Sequence, residues 1–152
     1  VQDLKKALVA VDNSKFSRDL VKYAFEYALR NGLDYLDFIH VWETSTLAMN
    51  EWIPENRTGI KTEEDLRKEF ASLVEQVILP SGAVPVPYDL VITYGIPYEE
   101  IINRAEKENY RILLIGHRGS SGLSKPFLGK VAPKVVRHAP CTVLVYQKKA
   151  KK

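Results

Sequence analysis

Three glycines and one carboxylate hold most of the chemical potential of this sequence. Gly116-His-Arg-Gly119 is followed, nine residues on, by Gly129. An apolar run, Ile112-Leu-Leu-Ile115, precedes the first glycine, and an amphipathic stretch, Val131 to His138, follows the last. That order reads as strand, glycine-spaced loop, helix. Glycine has no Cβ, so backbone N–H groups can approach an anion closely. A helix N-terminus adds unpaired N–H groups and the positive end of its dipole. Together they suit a phosphate group. Arg118, Lys125 and Lys130 place positive charge along the same stretch. The plainer reading is a strand-to-helix turn with solvated cations, and the motif alone does not decide between them. Asp12 closes Val9-Ala-Val-Asp12. Its carboxylate could accept hydrogen bonds from a ribose hydroxyl or a base amine, or serve as an ordinary turn or cap residue.

No catalytic machinery is assembled in the sequence. His40, His117 and His138 form no nucleophile–base set, and G-x-S-x-G, H-E-x-x-H and the G-x-x-x-x-G-K-[ST] phosphate loop are all missing. Asp12 and Glu43 are acids without an evident reaction. An enzymatic reading extends no further than a slow ATP hydrolase, and a flavin electron carrier is more remote still. Cys141 is alone, so it makes neither an internal disulfide nor a zinc site with three scattered histidines. It reads as a small buried thiol.

The elements that would position these residues follow from apolar periodicity. Five β-rich runs stand at Ala7–Val11, Tyr35–Trp42, Tyr88–Thr93, Ile112–Ile115 and Thr142–Tyr146. Continuous Val/Ile/Leu runs fit strands buried on both faces of a parallel sheet. Helical patterns alternate with them. The first spans about Phe16 to Arg30, capped by Asn13, Ser14 or Ser17 and ended by Asn31-Gly32. The second spans about Thr62 to Leu79, with Thr62 and Asp65 as a capping box and Pro80 as a stop. The third begins near Pro97. The fourth covers about Ala132 to His138, with Pro133 at its start. The stretch from Glu43 to Lys61 has no clear period and reads as a lid or partner surface.

Size and charge narrow the classes. A chain of 152 residues suits one domain with a real core. Its 45% hydrophobic and 27% charged content is close to that of ordinary soluble proteins. No apolar run reaches the roughly 20 residues a spanning helix needs, and Val1-Gln-Asp-Leu-Lys-Lys carries no signal-peptide pattern, so a cytoplasmic protein without membrane contact is expected. Much of the net charge of +3 sits in Lys148-Lys149-Ala-Lys151-Lys152. Residues 148–152 read as a solvated basic tail on a domain of residues 1–147, and without interleaved aromatics they do not argue for nucleic acid.

Alternating strands and helices imply right-handed crossovers and helices on both sheet faces. Such sheets bind ligands beyond the carboxyl ends of the strands, where strand order reverses. If strands 1 and 4 are neighbours, Asp12 and Gly116 face one crevice.

The sequence also resembles the universal stress protein family over nearly its whole length. The resemblance rests on Ala10-Val-Asp12 with Asn13, Ser14 and Ser17, on Tyr94-Gly-Ile-Pro97-Tyr-Glu-Glu-Ile101, on the spacing Gly116-x2-Gly119-x9-Gly129, and on Val136-Arg-His-Ala-Pro-Cys141-Thr-Val-Leu-Val145. It implies an α/β fold: a single-domain, five-stranded parallel sheet of order 3-2-1-4-5 with helices on both faces, Rossmann-like in plan. It implies a homodimer in which the last strands, Thr142 to Tyr146, pair, and a protein partner that the residues do not identify. The glycine spacing resembles the branch of the family that binds ATP or another adenine nucleotide, with Mg as a candidate companion ion. By position, Ala10, Val11 and Asp12 would contact adenosine, and Val41 would offer backbone groups to the adenine edge. Gly116, Arg118 and Gly119 would line ribose and phosphates, and Gly129, Lys130, Val131 and Ala132 would hold the outer phosphates. The family pattern has Ser or Thr directly after the third glycine and commonly a hydroxyl two residues later. Here Lys130 and Ala132 stand there. The alternative is a dimeric stress-response interaction protein that binds no nucleotide.

Overall fold

The computed structural model describes residues 4–12, 15–43, 62–82, 84–117 and 127–148, without the side chains of residues 15, 16, 81 and 127–129. The expected lid or partner surface between Glu43 and Lys61 lies almost wholly outside the described residues.

Among the described residues five strands alternate with four α-helices. They are β1 Lys6–Ala10, α1 Lys15–Arg30, β2 Tyr35–Glu43, α2 Glu63–Ile78, β3 Tyr88–Gly95, α3 Pro97–Lys107, β4 Ile112–Gly116, α4 Phe127–His138 and β5 Thr142–Tyr146. The sheet has the order β3-β2-β1-β4-β5, and every neighbouring pair is parallel. This is the expected fold.

The helix boundaries have local causes. The Thr62 hydroxyl accepts from the Asp65 N–H, and the Asp65 carboxylate accepts from the Thr62 N–H, both at 3.1 Å. This is the reciprocal cap expected from the sequence. Gly32, at φ 65°, turns the chain out of α1 and lets the Leu33 N–H reach the Ala28 carbonyl at 2.9 Å. Gly95, at φ 142°, ends β3 in a conformation L side chains avoid, and a Cβ there would come within 3.1 Å of Glu100 Oε2. Pro97 then occupies the first turn of α3.

α4 differs from expectation. It begins at Phe127, about five residues before the Ala132 start read from the sequence, and Pro133 lies inside it. The expected start rested on proline's preference for the first helical turn. Instead, the buried side chains of Val131, Ala132 and Val135 hold the helix across the proline.

The sheet separates two apolar layers. On one face Ala7, Val9, Leu36, Phe38 and Leu114 pack under α1 and α2, which contribute Leu20, Ala24, Phe25, Phe70 and Val74. Phe38 meets the rings of Phe25, Phe70 and Tyr88 at centroid distances of 5.5, 4.9 and 6.0 Å. On the other face Leu8, Ala10, Ile39, Val41, Leu113 and Ile115 pack under α3 and α4 through Ile101, Ile102 and Val135. The central strands are therefore buried on both sides, which explains why they read as unbroken apolar runs.

Candidate functional site

β1 and β4 lie side by side with Ala10 opposite Ile115. β1 leads to α1 on one face, and β4 leads toward α4 on the other. The strand order reverses between them, so a crevice opens beyond their carboxyl ends. Asp12 and Gly116 stand at this one opening.

Hydrogen bonds show how the ladder stops. By the alternation of a parallel pair, the Asp12 N–H would continue the ladder to the Gly116 carbonyl. It turns away and donates to Ser17 Oγ at 2.8 Å, and that hydroxyl donates to Asp12 Oδ1, also at 2.8 Å. Ser17 is 1% exposed, so water does not compete for these bonds. The Asp12 carboxylate is thereby fixed against the third residue of α1. Ser17 appeared in the sequence as a possible helix cap. Its actual work is to orient the acid.

β2 forms the wall of the opening. The Val11 N–H donates to the Ile39 carbonyl at 3.0 Å, the last bond from β1 to β2 among the described residues. Val41 is the next residue of β2 whose N–H and C=O point to that side. β1 has ended there, so one backbone donor and one acceptor face the crevice. The Val41 side chain is buried in the core below α3. Ala10 is 1% exposed and belongs to the same core layer.

The phosphate end is less complete. Arg118 and Gly119 lie outside the described residues, as do Lys125 and the serines beside them. Gly116 is buried at the end of β4. Gly129 and Lys130 fall in the first turn of α4, and the Lys130 side chain is exposed. A helix beginning at Phe127 leaves its first-turn amides open through Gly129 and draws those of Val131 and Ala132 into its own ladder. The side chains of Val131 and Ala132 are buried against the sheet. Proline donates no hydrogen bond, so Pro133 leaves the Gly129 carbonyl without its helical partner.

Among the described residues the three histidines and Cys141 do not form a cluster at the opening. His40 is half-buried in β2, and His117 and His138 are exposed. Burial raises the thiol pKa of half-buried Cys141, in keeping with a structural cysteine. Among the described residues no group of three or more His, Cys, Asp or Glu could hold a metal ion. No helix among them is long and apolar enough to cross a membrane.

One buried polar cluster was not anticipated. Asp37, 4% exposed in β2, accepts from Tyr110 Oη at 2.6 Å and from Arg104 Nη2 at 3.3 Å, and Arg104 Nε donates to Tyr110 Oη at 2.9 Å. Burial and the Asp37 hydrogen bond raise the Tyr110 phenol well above its ordinary pKa. This cluster ties the end of α3 to the amino-terminal half of β2, opposite the crevice. Its signal in the sequence was the lone acid within Tyr35-Leu-Asp-Phe-Ile39, because an acid buried in an apolar strand requires partners.

Comparison with known proteins agrees with this architecture. The Universal stress protein family matches residues 3–147. The universal stress protein A homolog 1 of Coxiella burnetii is 33% identical over 143 residues, covering 92% of this chain and 94% of that one. The universal stress protein YxiE of Bacillus subtilis is 28% identical over 145 residues, covering 92% and 97%. The solved structure of protein MJ0577 superposes with a TM-score of 0.69 at 26% identity, covering 97% of this chain and 99% of that one. More distant structures share the fold and carry nucleotides. One is a family protein from Arabidopsis thaliana with AMP bound, with a TM-score of 0.59 at 20% identity, covering 96% and 93%. Another is from Archaeoglobus fulgidus in complex with dAMP, with a TM-score of 0.58 at 21% identity, covering 93% and 96%. The match across 3–147, on a sheet of order β3-β2-β1-β4-β5, means that the chain belongs to the universal stress protein family.

Proposed function

We propose that the chain is an adenine-nucleotide-binding module that acts in stress response or regulation in the cytoplasm. The observation that carries this reading is the shared opening of β1 and β4. There a Ser17-oriented carboxylate, Asp12, lies across from Gly116, and the Val41 N–H and C=O face the same space. A purine edge needs one donor and one acceptor side by side, and a ribose needs a hydrogen-bond acceptor. Val41 and Asp12 supply them. In this reading Ala10 and Val11 would contact the adenosine, and Gly116, Arg118, Gly119, Gly129 and Lys130 are the residues that would bind ribose and phosphates. The AMP and dAMP held by proteins of the same fold support the ligand class. ATP, with Mg as a companion ion, would be the fuller form of the ligand.

Calorimetric titration with ATP, ADP and AMP tests the proposal. Binding is expected below millimolar concentration. An Asp12→Ala variant is expected to lose about ten- to hundredfold in affinity, the equivalent of about 1.5–3 kcal/mol for a charged hydrogen bond. No heat with any of the three at millimolar concentration would remove the proposal.

The second reading is a dimeric interaction protein with a vestigial pocket. The early start of α4 favours it, because the amides of Val131 and Ala132 are committed to the helix. Adenine nucleotide co-purifying with the protein would count against it. In both readings the dimer forms through β5, Thr142–Tyr146, whose outward-facing Val145 is 40% exposed. In this reading residues 1–147 are the domain and residues 148–152 its basic tail. The first residue of that tail, Lys148, pairs with Asp19 of α1 at 3.2 Å.

A further inference from the structure

The two edges of the sheet are chemically unequal. β3 forms one edge and β5 the other. The Leu36 N–H donates to the Pro87 carbonyl at 3.0 Å, so the odd residues of β3 face β2. Tyr88, Leu90, Ile92 and Tyr94 therefore direct their N–H and C=O groups outward. At Leu90, near the middle of this row, both groups are already taken. The Leu90 N–H donates to Asp89 Oδ1 at 2.8 Å, and the Leu90 carbonyl accepts from Arg67 Nη1 of α2 at 2.7 Å. A guanidinium bonded to an outward carbonyl lies in the path of an approaching strand and adds charge to the edge.

Among the described residues β5 has no such cover. The His117 N–H donates to the Tyr146 carbonyl at 2.8 Å, so the even residues of β5 face β4. Val143 and Val145 point their backbone groups outward. Among the described residues no side chain bonds those groups.

We propose that Arg67 and Asp89 close the β3 edge by occupying the Leu90 N–H and C=O, so that an added strand from a second copy of this chain can join only at β5. An incoming strand needs successive outward residues to build a ladder. With Leu90 taken, β3 offers only Ile92 and Tyr94 on one side and Tyr88 on the other. The cap thus stops the sheet from growing at both ends. Two open edges would allow copies to add without limit, whereas one open edge closes on itself as a pair. The cap acts whether or not β5 pairs, so its test does not depend on the proposed dimer.

The experiment compares solution mass, by sedimentation and light scattering across a concentration series, for the wild type, Arg67→Ala, Asp89→Ala and the double variant. The double variant is expected to keep its circular dichroism, at least double its mass relative to the wild type, and grow with concentration. In the larger species hydrogen exchange at the Leu90 and Ile92 amides is expected to slow. Arg67→Lys with Asp89→Asn, which keeps a donor and an acceptor, is expected to retain the wild-type mass. If the double variant does not fold, Arg67→Ala alone carries the test with a smaller shift. A folded cap-less variant of unchanged mass would overturn the proposal. So would growth without added protection at Leu90 and Ile92.

Discussion

Single residues here act through the partners that fix them. Asp12 is half-buried, and its reach into the crevice is set by Ser17, which binds both its N–H and its carboxylate. Tyr110 plays the matching part at the opposite end of the sheet, where it is the shorter of the two bonds to buried Asp37. Tyr110→Phe is expected to cost about 1–3 kcal/mol in urea unfolding, because buried Asp37 loses a hydrogen-bond donor. The pH dependence has a definite sign. Burial first, and then the Asp37 bond, raise the phenol pKa from its ordinary 10.0 in the folded state. The resulting stabilisation is complete below about pH 10 and is lost as pH rises through the raised native value. The variant should therefore show a shallower alkaline decline in stability than the wild type. Asp12 was legible in the sequence because an acid at the end of a strand stands out. The Tyr110 and Arg104 roles were not, since they lie 73 and 67 residues from Asp37.

At the scale of elements, local rules worked where the chain obeys one dominant signal. Thr62 with Asp65 sets the start of α2, and Pro97 the start of α3, by local chemistry alone. α4 carried two opposed signals. Proline favours a first turn, yet Val131 and Ala132 are the residues that the sheet buries, and burial prevailed. An interior proline forfeits one helical bond, here to the Gly129 carbonyl, and strains the turn before it. Pro133→Ala is expected to raise stability by about 1–3 kcal/mol, read as a higher urea midpoint at unchanged slope. If Pro133 helps to shape the phosphate end, the same variant will also change nucleotide affinity, which makes it informative about the crevice as well as the helix.

For the whole molecule, the decisive feature is the order of strands. Proposed pairing through β5 makes a further prediction. Val145→Lys places a charge on the open edge and is expected to convert the dimer to monomer in sedimentation, without loss of helical signal. Nothing comparable is expected from a lysine on the β3 edge, which Arg67 already occupies.

Composition and periodicity by themselves determined the alternation of strands and helices, the burial of the middle strands and the identity of the glycines and Asp12. These are local or compositional properties, and a strand buried on both faces must be apolar wherever it sits. The tertiary structure decided which strands are neighbours, and hence that Asp12 and Gly116 share an opening. It also decided that Val41 turns its N–H and C=O toward that opening, that α4 starts ahead of its proline, and that Arg67 and Asp89 bond the outward Leu90 groups of β3 while no side chain among the described residues bonds those of Val143 and Val145. Each of these depends on hydrogen bonds and packing between segments distant in sequence, and residue type alone does not encode which segments meet.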